Sequence, residues 1–325
     1  IKLSGTPLQQ GRAHGEQLRR QVHHNLQVYV DRFLREGGVP RQEVMQRAQR
    51  YARAIAASNP AYYDGMRGIA QGAALSLQEI AALNVRYEIL YYQYALKQMK
   101  LARDGCTAFA MLPEKSANGH LWLGQNWDWI PDVRGAILHT THDDGLQTLA
   151  FTEAGIFGGK IGMNSAGLGL AINGITTTAD DWQRLSKPFH VRCYEILLQK
   201  TVSDARGVIE NEPRACSANF LIAAIPDHAI DIEAATDVLN VIAPQEYCLV
   251  HTNHFIAPES MGIEEPPDEN RRFSYLRRDR LTGFLRESST IDLAQVQNWL
   301  KDHTNSPRSI CRHENPEAPV DEQYR

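Results

Sequence analysis

Across Gly105-Cys106 the apolar pattern of this chain changes period, and no other feature restricts the fold as much. Before that point Leu18, Val22, Leu26, Tyr29 and Phe33 recur at helical spacing with Arg and Gln between them, closing at Gly37-Gly38 ahead of Pro40. Val44, Ala48, Tyr51 and Ile55 mark a second helix, stopped by Asn59-Pro60. Ser76-Leu77-Gln78-Glu79 reads as a capping box opening a third, whose inward face of Leu83, Tyr87, Leu90 and Tyr94 continues almost to Arg103. After Cys106 the runs become short, apolar or alternating, and are separated by turn residues. They predict strands over 107–112, 120–129, 137–142, 168–172, 220–225 and 230–233, with helices returning over 190–200, 269–285 and 291–301. Helix and strand mixed throughout, without repeat or linker, predict one α+β domain spanning 1–325.

The chain has 325 residues, 43% of them hydrophobic, enough to bury a substantial core. A net charge of -4 offers no basic excess for a nucleic-acid backbone, and no Lys/Arg cluster suits an anionic membrane. No apolar run approaches the ~18 residues of a membrane span. Residues 1–10 lack a signal-peptide pattern, and the absence of an initial Met is compatible with a removed leader. Five cysteines, odd in number and without a CxxC pair, argue against a disulfide framework or zinc cage and for a reducing, cytoplasmic setting.

Cys106 sits where helix gives way to strand, after Gly105, the residue that best tolerates a strained peptide. A free cysteine is commonly just a small buried hydrophobe. As a nucleophile it needs a base, and the CGSCW-like signature of papain-type enzymes is absent. If the chain cleaves itself before Cys106, the new α-amine becomes that base. Asp128, 22 residues on, lies at the end of the partner strand of a hairpin whose first strand carries Cys106. Its carboxylate is then placed to orient the amine, and a surface aspartate is the alternative. Trp127 and Trp129 flank it and should pack on the sheet or line a pocket. Asn253 ends an apolar strand, where its amide either faces a reacting carbonyl as an oxyanion donor or caps a turn.

Other motifs carry less. Residues 155–167 are glycine-rich but contain neither phosphate-loop pattern, and read as turns between strands. His139/His142 and His251/His254 are three apart on strands and so face opposite ways, and no metal site is expected. Thr176 to Thr178 with Asp180-Asp181 read as a solvated loop, and Arg271-Arg272 with Arg277-Arg278 as a solvent-facing helical stripe, with binding of a substrate anion as the alternative.

The segments 65–73 (GMRGIAQGA), 104–107 (DGCT), 124–128 (GQNWD), 162–164 (GMN), 252–254 (TNH) and 309–313 (SICRH) together resemble the acyl-coenzyme A:6-aminopenicillanic acid acyltransferase family. These are self-processing N-terminal-nucleophile enzymes related to acid ceramidase and the choloylglycine hydrolases. The resemblance covers most of the chain and implies a four-layer αββα sandwich. It also implies cleavage between Gly105 and Cys106 into 1–105 and 106–325, which remain associated. It gives Cys106 as nucleophile, Asp128 as the carboxylate near its amine and Asn253 as an oxyanion residue. Asn173 is a looser match to a second oxyanion group. Gln125 stands where acid ceramidase and the choloylglycine hydrolases have arginine, and matches the acyltransferase branch instead. That branch usually continues past the His313 region into further strands.

The expectation is therefore a cysteine amidohydrolase cleaving a linear amide through an acyl-enzyme thioester, with no cofactor. Acyl-coenzyme A-dependent N-acyl transfer by the same chemistry is the alternative, and an unprocessed, non-catalytic binding protein the second. Trp127, Trp129 and Phe157 are expected to contact an aromatic or aliphatic acyl group. The partner is a small-molecule amide or acyl thioester; whether the chain is a monomer or homo-oligomer is left open.

Overall fold

A computed structural model describes residues 1–97, 105–315 and 317. In chain order the elements are β1 (Lys2–Ser4), α1 (Pro7–Gln17), α2 (Arg19–Arg35), α3 (Arg41–Ser58), α4 (Pro60–Ala73), α5 (Leu77–Asn84), α6 (Arg86–Lys97), β2 (Thr107–Met111), β3 (Trp122–Asn126), β4 (Gly135–Thr141), β5 (Gln147–Glu153), β6 (Ile161–Asn164) and β7 (Leu168–Gly174). There follow α7 (Phe189–Leu197), α8 (Val202–Glu210), β8 (Ala218–Ala224), β9 (His228–Ala234), β10 (Leu239–Ile242), β11 (Cys248–His251), α9 (Pro258–Met261), α10 (Arg271–Glu287) and α11 (Leu293–Leu300).

The helical periodicity before Cys106 has the expected consequence: Leu18, Val22, Leu26, Tyr29, Phe33, Val44, Ala48, Tyr51, Ile55, Leu83, Tyr87 and Leu90 are all buried. Three details differ. Thr6 and Gln9 form a capping box that opens α1, an extra helix ahead of the first expected one. Asn59 ends α3 and also caps α4, its side chain accepting from the Tyr62 N–H. The run after Ser76 breaks at Val85 into α5 and α6, and the part expected over 98–103 lies outside the described residues.

The fold divides into two compact units, each gathered from three stretches of chain. The first comprises 1–97, 132–168 and 179–216. Its strands run in the order β1-β4-β5-β6. Helices α1 and α4 cross closely because glycines face backbone: a β-carbon at Gly11 would lie 2.0 Å from the Gly65 carbonyl oxygen, and one at Gly68 2.2 Å from that of Leu8. The 65–73 motif is thus a helix-crossing device. Glu153 at the end of β5 receives Arg86 of α6, Lys160 and the Tyr29 hydroxyl of α2, all buried. Burial alone would raise that carboxyl, but Arg86 and then Lys160 hold it well below the ordinary carboxylate range.

The second unit comprises 98–131, 169–178 and 217–325. Strand β2 explains its layering, because all five of its residues are buried and its two faces differ in size. Phe109 and Met111, with Val250 of β11, pack on Leu281 and Leu285 of α10 and Val296 of α11. Ala108 and Ala110, with Leu249, pack on Ala171 of β7, Leu221 and Ala223 of β8 and Ala229 of β9. Small residues let two sheets approach while large ones fill the space beneath helices. The unit is therefore a stack of helices, the sheet β11-β2-β3, and the strands β7-β8-β9-β10.

The loop after β7 corrects one expectation: Thr176, Thr177 and Asp180 are buried, not solvated.

Candidate active site

The hairpin β2-β3 determines where Cys106 and Asp128 meet. Thr107 pairs with Asn126 at the end of the antiparallel ladder, so the residues just outside it, Cys106 and Asp128, emerge at the same end. The Cys106 thiol lies 3.6 Å from the Asp128 backbone carbonyl, and both residues are buried. Gly105 packs so closely that a β-carbon there would be 2.9 Å from Arg312 Nη1 and 3.2 Å from Asp128 Cβ. Glycine is thus favoured at this position by space.

Strand β11 brings Asn253 to that end. It pairs antiparallel with β2, His251 opposite Ala108, and the chain then turns. Helix α10 fixes the turn from below: Ser274 Oγ accepts from the Asn253 N–H at 2.7 Å, and Thr252 Oγ1 donates to the Ser274 carbonyl at 3.0 Å. Arg277 donates to Asn253 Oδ1 at 2.8 Å, and Asn253 Nδ2 donates to the Gly174 carbonyl at 3.1 Å. Arg277 is accordingly buried, which corrects the expectation of a solvent-facing arginine stripe. His251 sits at the base of the turn, 3.0 Å from Glu233 Oε1. Burial works against its protonation, but Asp231 and Glu233 outweigh that and raise its pKa.

Asn173 arrives from β7. Its neighbour Ile172 is bound by Gln125 and its other neighbour Gly174 by Asn253, so the segment is held on both sides. Asn173 is 1% exposed, and its Nδ2 has no hydrogen-bond partner among the described residues. A buried N–H left without an acceptor is costly, and it is the arrangement needed where negative charge develops later. Its Oδ1 faces Asn219 Nδ2 at 3.4 Å, and that amide also donates to Asp231 Oδ1 at 2.7 Å. Burial pushes the Asp231 carboxyl up to about 6.

The structure thus gathers Cys106, Asp128, Asn253 and Asn173 around one end of the second unit. Trp127 and Trp129 flank Asp128 with ring centroids 6.3 Å apart, Trp127 half-buried and Trp129 buried. Phe157 is fully packed, with its ring 5.4 Å from both Tyr62 and Tyr194, and this burial corrects its expected contact with an acyl group. Sequence reasoning missed Arg312, Ser274 and the Asn219–Asp231 pair, and placed Arg277 on a solvent-facing stripe. Only Arg312 carried a signal, through its place in the 309–313 motif.

The two histidine pairs are accounted for by protein partners: His139 by Gln147, His142 by Thr148, His251 by Glu233 and His254 by Ser274. All five cysteines are free thiols. Among the described residues no helix is long and apolar enough to cross a membrane.

Residues 114–319 match the family model described as Acyl-coenzyme A:6-aminopenicillanic acid acyl-transferase. The chain belongs to that family. The matched span includes Asp128, Asn173 and Asn253 and begins after Cys106. A relative in this acyl-transferase family, the 40 kDa form of acyl-coenzyme A:6-aminopenicillanic-acid-acyltransferase of Emericella nidulans, is 28% identical over 318 residues, covering 96% of this chain and 84% of the relative. Among solved structures, a Caenorhabditis elegans ortholog of N-acylethanolamine-hydrolyzing acid amidase is similar at 15% identity and a TM-score of 0.48, over 62% of this chain and 88% of that one. The conjugated bile acid hydrolase of Clostridium perfringens is similar at 14% identity and a TM-score of 0.40, over 67% and 82%. This member of the acyl-transferase family is an enzyme.

Proposed function

We propose that the chain cleaves itself between Gly105 and Cys106 and then works as an N-terminal cysteine amidohydrolase. The observation that carries this reading is the convergence of Cys106, Asp128 and Asn253 at one end of the β11-β2-β3 sheet. In maturation the Cys106 sulfur attacks the Gly105 carbonyl, the peptide nitrogen leaves as the α-amine, and water hydrolyses the thioester to release the Gly105 carboxylate. In turnover that amine takes the thiol proton and the thiolate attacks a substrate amide. The tetrahedral oxyanion is received by Asn173 Nδ2, with Asn253 beside it, and the leaving amine takes back a proton. Water then resolves the acyl-enzyme thioester. The Asp128 carboxylate orients the amine, and Trp127 offers the half-buried apolar surface for an acyl group.

The fragments 1–105 and 106–325 stay associated in this reading, because the first unit draws on both. Arg86 and Tyr29 from one side of the cut hold Glu153 from the other.

Acyl transfer is a second reading, favoured by the printed name of the Emericella relative. The two differ only in whether water or an amine accepts the acyl group. The test is the denatured mass of the purified protein beside Cys106→Ala, followed by amide and acyl-thioester assays. Fragments 1–105 and 106–325 in the parent and a single 36.6 kDa chain in the variant support self-processing. One unbroken, inactive chain in both sinks it. Free acid released without any amine acceptor favours hydrolysis; strict dependence on acyl-coenzyme A with an amine favours transfer.

A further inference from the structure

The second unit contains a group of donors that the proposed chemistry does not use. His303 follows α11, and Cys311 and His313 lie eight and ten residues further on; their ligating atoms all fall within 4.8 Å of one another. His303 Nε2 is 2.8 Å from His313 Nε2, and Cys311 Sγ is 3.5 Å from that same His313 Nε2. We propose that His303, Cys311 and His313 form a binding site for a zinc-class divalent ion, with water as the fourth ligand.

The geometry fits that ion. Zinc bonds of about 2.0–2.1 Å to imidazole and about 2.3 Å to thiolate place neighbouring donors of a tetrahedron roughly 3.3–3.6 Å apart. The separation of Cys311 Sγ from His313 Nε2 already has that value, the two imidazoles need to part by only about 0.5 Å, and the third pair, His303 Nε2 and Cys311 Sγ, lies within 4.8 Å. Two facing Nε2 atoms must otherwise share a single proton between two lone pairs. An imidazole and thiolate donor set without oxygen selects zinc, cobalt or copper over calcium and magnesium. Binding releases the Cys311 thiol proton to solvent.

The frame around the donors is built. The Cys311 N–H donates to the Asp302 carbonyl at 2.9 Å, bringing the two ligand-bearing segments side by side. The Asp302 carboxylate is gripped by Arg280 of α10 at 2.6 and 2.5 Å, and Ser309 Oγ donates to the Cys311 carbonyl at 2.6 Å. His303 and His313 are exposed, leaving a route for the ion and a place for its water. Arg312, whose guanidinium packs over Gly105, lies between two of the ligands in sequence. An ion here fixes the segment that carries it.

The test is titration of the chelator-stripped full chain with Co2+, read by absorption, with Zn2+ as competitor. The expected result is one Co2+ per chain, tetrahedral visible bands and a sulfur-to-cobalt charge-transfer band, displaced by Zn2+. The charge-transfer band should vanish in Cys311→Ser and persist in Cys106→Ala, whose thiol is elsewhere. His303→Gln, a change at an exposed position, should weaken Zn2+ binding at least about tenfold while leaving the thermal melt of the metal-free protein unchanged. Absence of a charge-transfer band in the parent, its persistence in Cys311→Ser or its loss in Cys106→Ala overturns the site. Zn2+ affinity unaltered in His303→Gln does so too. None of these readouts depends on self-processing.

Discussion

Gln125 and Ile172 exchange two hydrogen bonds: Gln125 Nε2 donates to the Ile172 carbonyl at 2.5 Å, and the Ile172 N–H donates to Gln125 Oε1 at 3.0 Å. A side-chain amide here takes the place of a neighbouring strand, satisfying both backbone groups of a residue on β7. The next residue is Asn173. Gln125 is a positioning residue, and Gln125→Ala should lower kcat about 10- to 100-fold with little change in KM, since a misplaced group reduces rate before it reduces binding. A KM effect with kcat intact would assign Gln125 to substrate binding instead.

The two asparagines should not be equivalent. Asn173 Nδ2 has no acceptor among the described residues, whereas Asn253 already donates a hydrogen bond to the Gly174 carbonyl and accepts one from Arg277. Asn173→Ala should cost about 2.7–4 kcal/mol in transition-state stabilisation, a loss of about 10²–10³ in kcat. Asn253→Ala should also lower the melting temperature, because it removes a hydrogen-bond acceptor from the buried Arg277. Kinetics and thermal melts of both variants decide this.

Glu153 neutralises two buried cations, Lys160 on its own side of the proposed cut and Arg86 across it. Glu153→Gln should destabilise the protein by about 3–5 kcal/mol, the cost of leaving buried charge uncompensated. Because the native carboxyl is held low, its contribution is present above the ordinary carboxylate pKa and is lost as acid brings the pH down through the folded value. Denaturant melts of parent and variant at neutral pH measure the difference directly. If cleavage occurs, the variant should also shed fragment 1–105 more readily during gel filtration.

Asp231 has the opposite sign. Its Oδ2 has no hydrogen-bond partner among the described residues, burial favours the neutral acid, and the folded pKa is about 6 against an ordinary 3.8. The folded state therefore keeps a proton that the unfolded chain has lost. The stability this confers is full below pH 3.8 and disappears as pH rises through about 6. Asp231→Asn should remove up to about 3 kcal/mol of that decline, at 1.36 kcal/mol per pH unit. Equal pH slopes in parent and variant would show that Asp231 is ionised in the fold.

The α1–α4 crossing should be intolerant of a single methyl group. A β-carbon at Gly68 or Gly72 would lie 2.2 Å from a backbone carbonyl oxygen, which cannot turn aside as a flexible side chain can. Gly68→Ala should destabilise by about 1–3 kcal/mol through overpacking, despite alanine's better helix propensity. At Gly283, where nothing lies within 4 Å, the same change should stabilise slightly. Paired thermal melts make the comparison.

Local chemistry was legible in the chain alone. Apolar spacing gave the buried faces of α2 and α3, the Ser76–Glu79 pair gave the start of α5, and the change of period at Cys106 gave the α+β class, because all three depend on neighbours in sequence. The hairpin arithmetic likewise sufficed to return Asp128 to Cys106, since two paired strands share one register. What needed the tertiary structure was every relation across long stretches of chain. Phe157 and Trp127 are both aromatic residues beside turns, yet one fills a core and the other is half-buried next to Asp128. Arg277 reads as part of a charged stripe until Asn253, 24 residues earlier, proves to be its acceptor. His303 looks solitary until the backbone bond from Cys311 to Asp302 brings the other two donors beside it. Periodicity reports which face of an element is buried, while the partner it is buried against is chosen by packing among segments that sequence order does not connect.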